Sequence, residues 1–149
     1  MKTLREIEAD VLRSARRVGA HGLTLPTYGS SDDDARPHIE VGGELYHYVV
    51  VERGVERQRR SSDRYEDLLY WIFRDVTHGM AFSYELQHRK GDQDCRRIAF
   101  PEQVRLMTEL DREFGRRIEA EIADMLRQNP YNDAPTRALN RGRRNDQAS

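Results

Sequence analysis

Apolar residues recur at spacings of three and four along three stretches of the chain and alternate with polar residues along a fourth. Between Thr3 and Ala20, the residues Leu4, Ile7, Val11, Ala15 and Val18 mark one face of an amphipathic helix. Thr3 followed by Glu6 is the pattern of a capping box, Gly19 and Gly22 are stop signals, and Asp10 with Arg13 forms an i,i+3 charge pair on the outer face. The second stretch, SDRYEDLLYWIFRDVTHGMAFSYELQHR, is too long for a strand. On a helical wheel Leu68, Leu69, Ile72, Phe73, Val76, Met80 and Tyr84 form a broad stripe, with Trp71 and Phe82 on one flank and Tyr70 on the other. Only Arg74, His78 and Glu85 define a polar strip, so this is expected to be a buried central helix whose aromatic residues are core, with Tyr70 and Trp71, which flank the strip, the two positioned for partial exposure. The third stretch is expected to be one last helix from Phe100 to Gln128, opened by Pro101 and with a core stripe of Val104, Met107, Leu110, Phe114, Ile118, Ile122 and Met125. The preceding KGDQDCRR reads as a connector.

The alternating segment is HIEVGGELYHYVVVERG. Gly42-Gly43 fits a two-residue type I′ turn, which would pair Val41 with Glu44 and Ile39 with Tyr46. Ile39, Val41, Tyr46, Tyr48 and Val50 then share one face, and Leu45, His47, Val49 and Val51 the other. Arg53-Gly54 is expected to turn the chain again into a short, charged third strand at a sheet edge. The intervening GLTLPTYGSSDDDARP has no periodicity and reads as a long loop. The fold class is therefore α+β: one helix-rich domain over residues 1–131, with three main helices and a small antiparallel hairpin or three-stranded sheet. Residues 132–149 are expected to form a disordered basic tail.

Composition removes several functions. The chain has 149 residues and a net charge of −1, which does not suggest a strongly basic nucleic-acid binder. The lone Cys95 excludes an intramolecular disulfide framework and a cysteine zinc site, and a reducing, cytoplasmic compartment is expected. The first residues carry charges throughout with no apolar core, so no secretory leader is expected, and no apolar run nears the roughly 18 residues of a membrane span. None of the five histidines has HxxxH or HExxH spacing. His38 and His47 come out as cross-strand partners in the register above, too few ligands for a metal site. There is no phosphate-binding glycine loop and no nucleophile elbow. No catalytic residue, metal or cofactor is expected. Two arginine clusters, Arg57, Arg59, Arg60 and Arg64, and Arg137, Arg141, Arg143 and Arg144, leave open a non-catalytic regulatory or weak nucleic-acid-binding module. Solvated surface is the simpler account of both, since Asp32 to Asp34 oppose them and no aromatics interleave with the second.

Three quoted segments taken together, YHYVVVERG, the Leu-Leu-Tyr-Trp-Ile-Phe helix with Met-Ala and Tyr-Glu further on, and QDCRRIAFPEQVRLM, resemble the immunity protein 63 family of bacterial polymorphic toxin systems. The resemblance covers about Pro37 to Tyr131. It implies a small protein that binds and neutralises a toxin encoded beside it, by stoichiometric protein–protein interaction and not by catalysis. A surface that discriminates one toxin from its relatives needs aromatic anchors and charges. Three regions offer them: Tyr28 and Asp32, Asp33 and Asp34 in the long loop; His47 on the second hairpin face with Glu52 and Arg53 at its end; and Trp71, Arg74, His78 and Glu85 on the central helix. The loop is the first choice, being long, acidic and free of core duties.

Overall fold

The computed structural model describes residues 1–134. Its elements are α1 (Leu4–Val18), a 3-10 turn (Gly22–Thr24), β1 (Thr27–Tyr28), β2 (His38–Gly42), β3 (Leu45–Glu52), β4 (Val55–Ser62), α2 (Tyr65–Gln87), α3 (Arg96–Leu110) and α4 (Arg112–Gln128). The class is α+β, with four helices and a four-stranded mixed sheet among the described residues, one helix and one strand more than the periodicity suggests. The chain divides within α2 into two compact units, Met1–Val76 and the part from Thr77 onward.

In the first unit the sheet runs β1-β2-β3-β4, with β1 parallel to β2 and the other pairs antiparallel. β1 is two residues long, too short to carry a period, and it is held by Thr27 N–H to Pro37 O (2.9 Å) and Gly29 N–H to Ile39 O (2.8 Å). The first hairpin turns one residue later than expected. Gly43 and Glu44 take the two positive-φ positions (62° and 63°), so Val41 pairs with Tyr46 and Ile39 with Tyr48. Holding a non-glycine residue there costs about 1 kcal/mol. The register offsets that cost by replacing a Val–Glu pair with a Val–Tyr pair. A one-residue move of the turn shifts the pairing by two, so the expected faces survive while the His38–His47 partnership does not. His38 lies opposite Val49, and His47 opposite Glu40 and Ser61. The second turn is at Arg53-Gly54 as expected, and β4 is an edge strand of eight residues with a register shift opposite Val50/Val51.

Helix α1 follows its sequence signals. Thr3 and Glu6 form the reciprocal capping box, Gly19 ends the helix at φ 76°, and Ile7, Val11 and Ala15 are buried. Asp10 on its flank ion-pairs with Lys2 (2.7 Å) and Arg13 (3.1 Å) and accepts the Tyr65 hydroxyl (2.7 Å). Tyr46 packs against Tyr65, with ring centroids 5.4 Å apart, so the Ile39–Tyr46–Tyr48 face of the sheet looks toward the helices. Leu68, Ile72, Phe73 and Val76 of α2 are buried, and Tyr70 is fully buried, a core aromatic as the helix pattern suggests.

In the second unit the expected last helix is two helices. Asp111 leaves helical geometry (φ −164°, ψ 132°), closing α3 and capping α4 by accepting Glu113 N–H at 2.8 Å. The apolar spacing runs through the break, so periodicity alone hides it. α3 and α4 approach most closely at Gly115, where an added Cβ would lie 2.0 Å from Thr108 Oγ1 and 3.0 Å from its Cα. α3 also begins earlier than expected, at Arg96, with Pro101 inside it. Asp94, 8% exposed, starts it: its carboxylate accepts Arg96 N–H (2.9 Å), the Arg96 guanidinium (2.8 Å) and Asn132 N–H (2.9 Å). The guanidinium of Arg96 beside it, and then the backbone N–H groups, hold the Asp94 carboxyl far below the usual carboxylate range. Arg96 also donates to the carbonyls of Asn129 and Pro130, and the Arg97 guanidinium lies 4.4 Å from the Tyr131 ring centre. The QDCRR segment thus fastens the chain after α4 to the start of α3. Asp133 bonds to Arg97 (3.0 Å) and to Asp94 N–H (2.6 Å), so this fastening continues past Tyr131. Of the expected tail, residues 135–149, with the second arginine cluster, lie outside the described residues.

Candidate functional site

Two of the three regions singled out in the sequence come together at one end of the sheet. The loop residues Asp33 to Ala35 run along the end of the β3–β4 hairpin. Ala35 N–H donates to Val51 O (3.1 Å), Asp34 bridges to Glu52, and Arg53 N–H points to Asp33 O (3.4 Å). The Asp33 carboxylate accepts Gly54 N–H at 2.6 Å, so Asp33 caps the turn and is not free of structural duties. Asp32 ion-pairs with Arg36 (3.2 Å), whose guanidinium also donates to the carbonyls of Leu25 (2.8 Å) and Gly22 (3.0 Å). The long loop is therefore a fastened structure, and it displays exposed Asp32 and Asp34 beside half-exposed Glu52 and exposed Arg53.

The middle of α2 crosses the sheet at Tyr48 and Val50, next to Ala35 of the loop. The Tyr48 hydroxyl donates to the Asp75 carboxylate. Burial, then the negative charge of Asp75, push the phenol of Tyr48 well above its ordinary pKa, so it stays a donor. Between β3, α2 and the loop is a cavity of about 280 Å³, walled by Pro26, Pro37, Val50, Ile72 and Val76 with Tyr48 and Asp75 as polar groups. On the other side of Asp75 a narrow groove is lined by Gln58, Arg60, Trp71 and Arg74. Trp71 is half-exposed, as an anchor at a protein interface would be. Asp75, Arg60 and Gln58 were not singled out from the sequence. Strand alternation places Arg60 and Gln58 on the Tyr48 face, which was the available signal, whereas Asp75 is simply the neighbour of Arg74.

The remaining candidates lie elsewhere. Tyr28 pairs with Ile39 and is half-buried. Burial first, then Glu8, raise its pKa. His47 is on the opposite sheet face, between Ser61 Oγ (2.7 Å) and Gly42 O (3.2 Å). That face also carries His38, bonded to Glu40 at 2.9 Å, and Glu40 is ion-paired with Arg59 (3.0 Å). His38 and then Arg59 lower the Glu40 pKa. Arg59 is also paired with Glu56 (2.8 Å), which neutralises part of the first arginine cluster. In the second unit, His78 is exposed and its ring lies tilted against Phe82, with centroids 4.6 Å apart. Glu85 is only 2% exposed and forms a bidentate pair with Arg89 (2.9 and 3.0 Å), so it is a buried charge and no part of an exposed strip.

Among the described residues no cluster of three metal-ligating side chains occurs, and no helix is long and apolar enough to cross a membrane. The described residues form an α+β protein with charged side chains at the β3–β4 turn and a half-exposed Trp71 in the groove beside Asp75. The family model described as Immunity protein 63 matches residues 42–124, more than half of the chain. The chain belongs to the immunity protein 63 family. No match was found among curated proteins or among solved structures.

Proposed function

We propose that this protein binds a cognate toxin in the cytoplasm, one to one, and neutralises it by occupying its surface. Membership of the immunity protein 63 family carries the reading. The interface combines the charged hairpin end, Asp32, Asp34, Glu52 and Arg53, with the Trp71–Arg74 groove. Such a surface supplies an aromatic anchor for affinity and charges of both signs for discrimination. Asp33 supports it from behind by holding the hairpin turn. The charges speed encounter and reject mismatched relatives more than they add affinity.

The test is protection. A bacterial strain expressing the toxin encoded beside this gene should survive only when the protein is co-expressed. Survival without it, or death with it at equal toxin level, would refute the reading.

A further inference from the structure

We infer that the cavity beside Asp75 is a socket for one lysine or arginine side chain supplied by the toxin. The inference rests on the toxin-binding reading and names the chemistry of its central contact.

At about 280 Å³ the cavity has room for a single long side chain and is at the small end of the roughly 300–1,000 Å³ of ligand sites. Its walls decide which kind. Pro26, Pro37, Val50 and Val76 are apolar, which suits an aliphatic stem. Among the described residues lining it, Asp75 is the only charged one. The Tyr48 hydroxyl donates to that carboxylate and so aids in fixing it, while Asp75 itself remains exposed and able to accept further bonds. A stem that wants apolar walls and a head that wants a carboxylate describe lysine and arginine. Arg60 and Arg74 line the adjoining groove and not the cavity. Asp75 lies between groove and cavity, so the arginines repel a cationic head on the groove side and the head reaches the carboxylate from the cavity side, where it touches Asp75 directly. The loop that forms one wall continues from Ala35 into exposed Asp34, a second carboxylate on the approach of a basic partner.

Two probes test this. N-acetyl-arginine-N-methylamide is titrated into the protein while the methyl resonances of Val50, Ile72 and Val76 are followed by NMR, with the glutamine analogue as the neutral control. Saturable shifts at those methyls with the arginine probe are expected, with at least tenfold weaker response from the glutamine analogue and from the Asp75→Asn variant. That variant keeps an acceptor for Tyr48 and should fold. Val50→Phe, which fills the cavity and leaves Asp75 in place, should also abolish the shifts. Equal shifts with both probes, or none with the arginine probe, would overturn the socket. The toxin itself is the second probe. Asp75→Asn should weaken its binding at least tenfold; unchanged binding overturns the socket while leaving toxin binding intact. Saturation by the arginine probe with no toxin binding to the wild-type protein would leave a cationic socket and overturn the toxin as its source.

Discussion

Tyr48 on β3 donates its hydroxyl to the carboxylate of Asp75 on α2, joining strand and helix at the mouth of the cavity. Tyr48 is 2% exposed, whereas Asp75 is exposed. Removing the hydroxyl therefore leaves the carboxylate to water and not orphaned. Tyr48→Phe should cost about 1–2 kcal/mol, the worth of one bond to a charged acceptor. Tyr48→Ala, which also empties ring volume from the core, should cost about 3–5 kcal/mol. Urea melts of the two variants check the ordering. A Phe variant as damaged as the Ala variant would contradict this division of roles.

Asp10 gives the first unit a dependence on acid. Its hydrogen bonds from Lys2 and then Tyr65 bring its pKa down to about 2, below the ordinary aspartate value of 3.8. A carboxylate whose folded pKa is depressed stabilises the fold above its unfolded value and loses that contribution as pH falls through the folded one. Asp10→Asn should accordingly be less stable than wild type at pH 7, with the gap closing between about pH 4 and pH 2. Melting midpoints measured across that range test it. A gap that stays constant down to pH 2 would show that Asp10 acts through packing and not through its charge.

At Gly115 the helices α3 and α4 leave no room for a side chain. Gly115→Ala would place Cβ 2.9 Å from Thr108 Cβ and 3.0 Å from its Cα, so rotating the hydroxyl away cannot relieve the clash. Despite the better helix propensity of alanine, a net loss of about 1–3 kcal/mol is expected. Thr108→Gly in the same chain should recover part of it. A neutral or stabilising Gly115→Ala, read from thermal melts, would contradict the close approach.

Asp94 is the keystone of the second unit. Asp94→Ala leaves the Arg96 guanidinium and the Asn132 N–H without their shared acceptor and should cost about 3–5 kcal/mol. Truncation after Ala134 retains Asp133 and its bonds to Arg97 and Asp94. It should leave the melting midpoint near wild type, while truncation after Tyr131 should lower it. Equal midpoints for the two truncations would show that Asp133 contributes nothing.

What the sequence made legible was what local rules govern. The Thr3–Glu6 cap, the Arg53-Gly54 turn, the buried run around Ile72 and Phe73 and the faces of the first hairpin depend on neighbours within a few positions. β1 and the α3–α4 break were not legible. Two residues carry no period, and a capping aspartate inside an unbroken apolar stripe is outvoted by the stripe. The site was legible as three scattered regions. Nothing local says that Asp33 will cap a hairpin twenty-one positions away, that Tyr48 will find Asp75, or that Glu85, with Arg89 a turn further on, will be only 2% exposed. Those are long-range pairings or consequences of burial, and they decide which charged groups remain available to a partner.

Toxin binding by this surface is measurable by titration calorimetry of the purified protein against the neighbouring toxin domain. A one-to-one complex with a dissociation constant below about 1 μM is expected. Affinity should fall at least about tenfold in a variant combining Asp32→Ser, Glu52→Gln and Trp71→Ala whose melting curve stays close to wild type. Absence of a complex at about 10 μM of each partner, or full affinity in a folded triple variant, would contradict it.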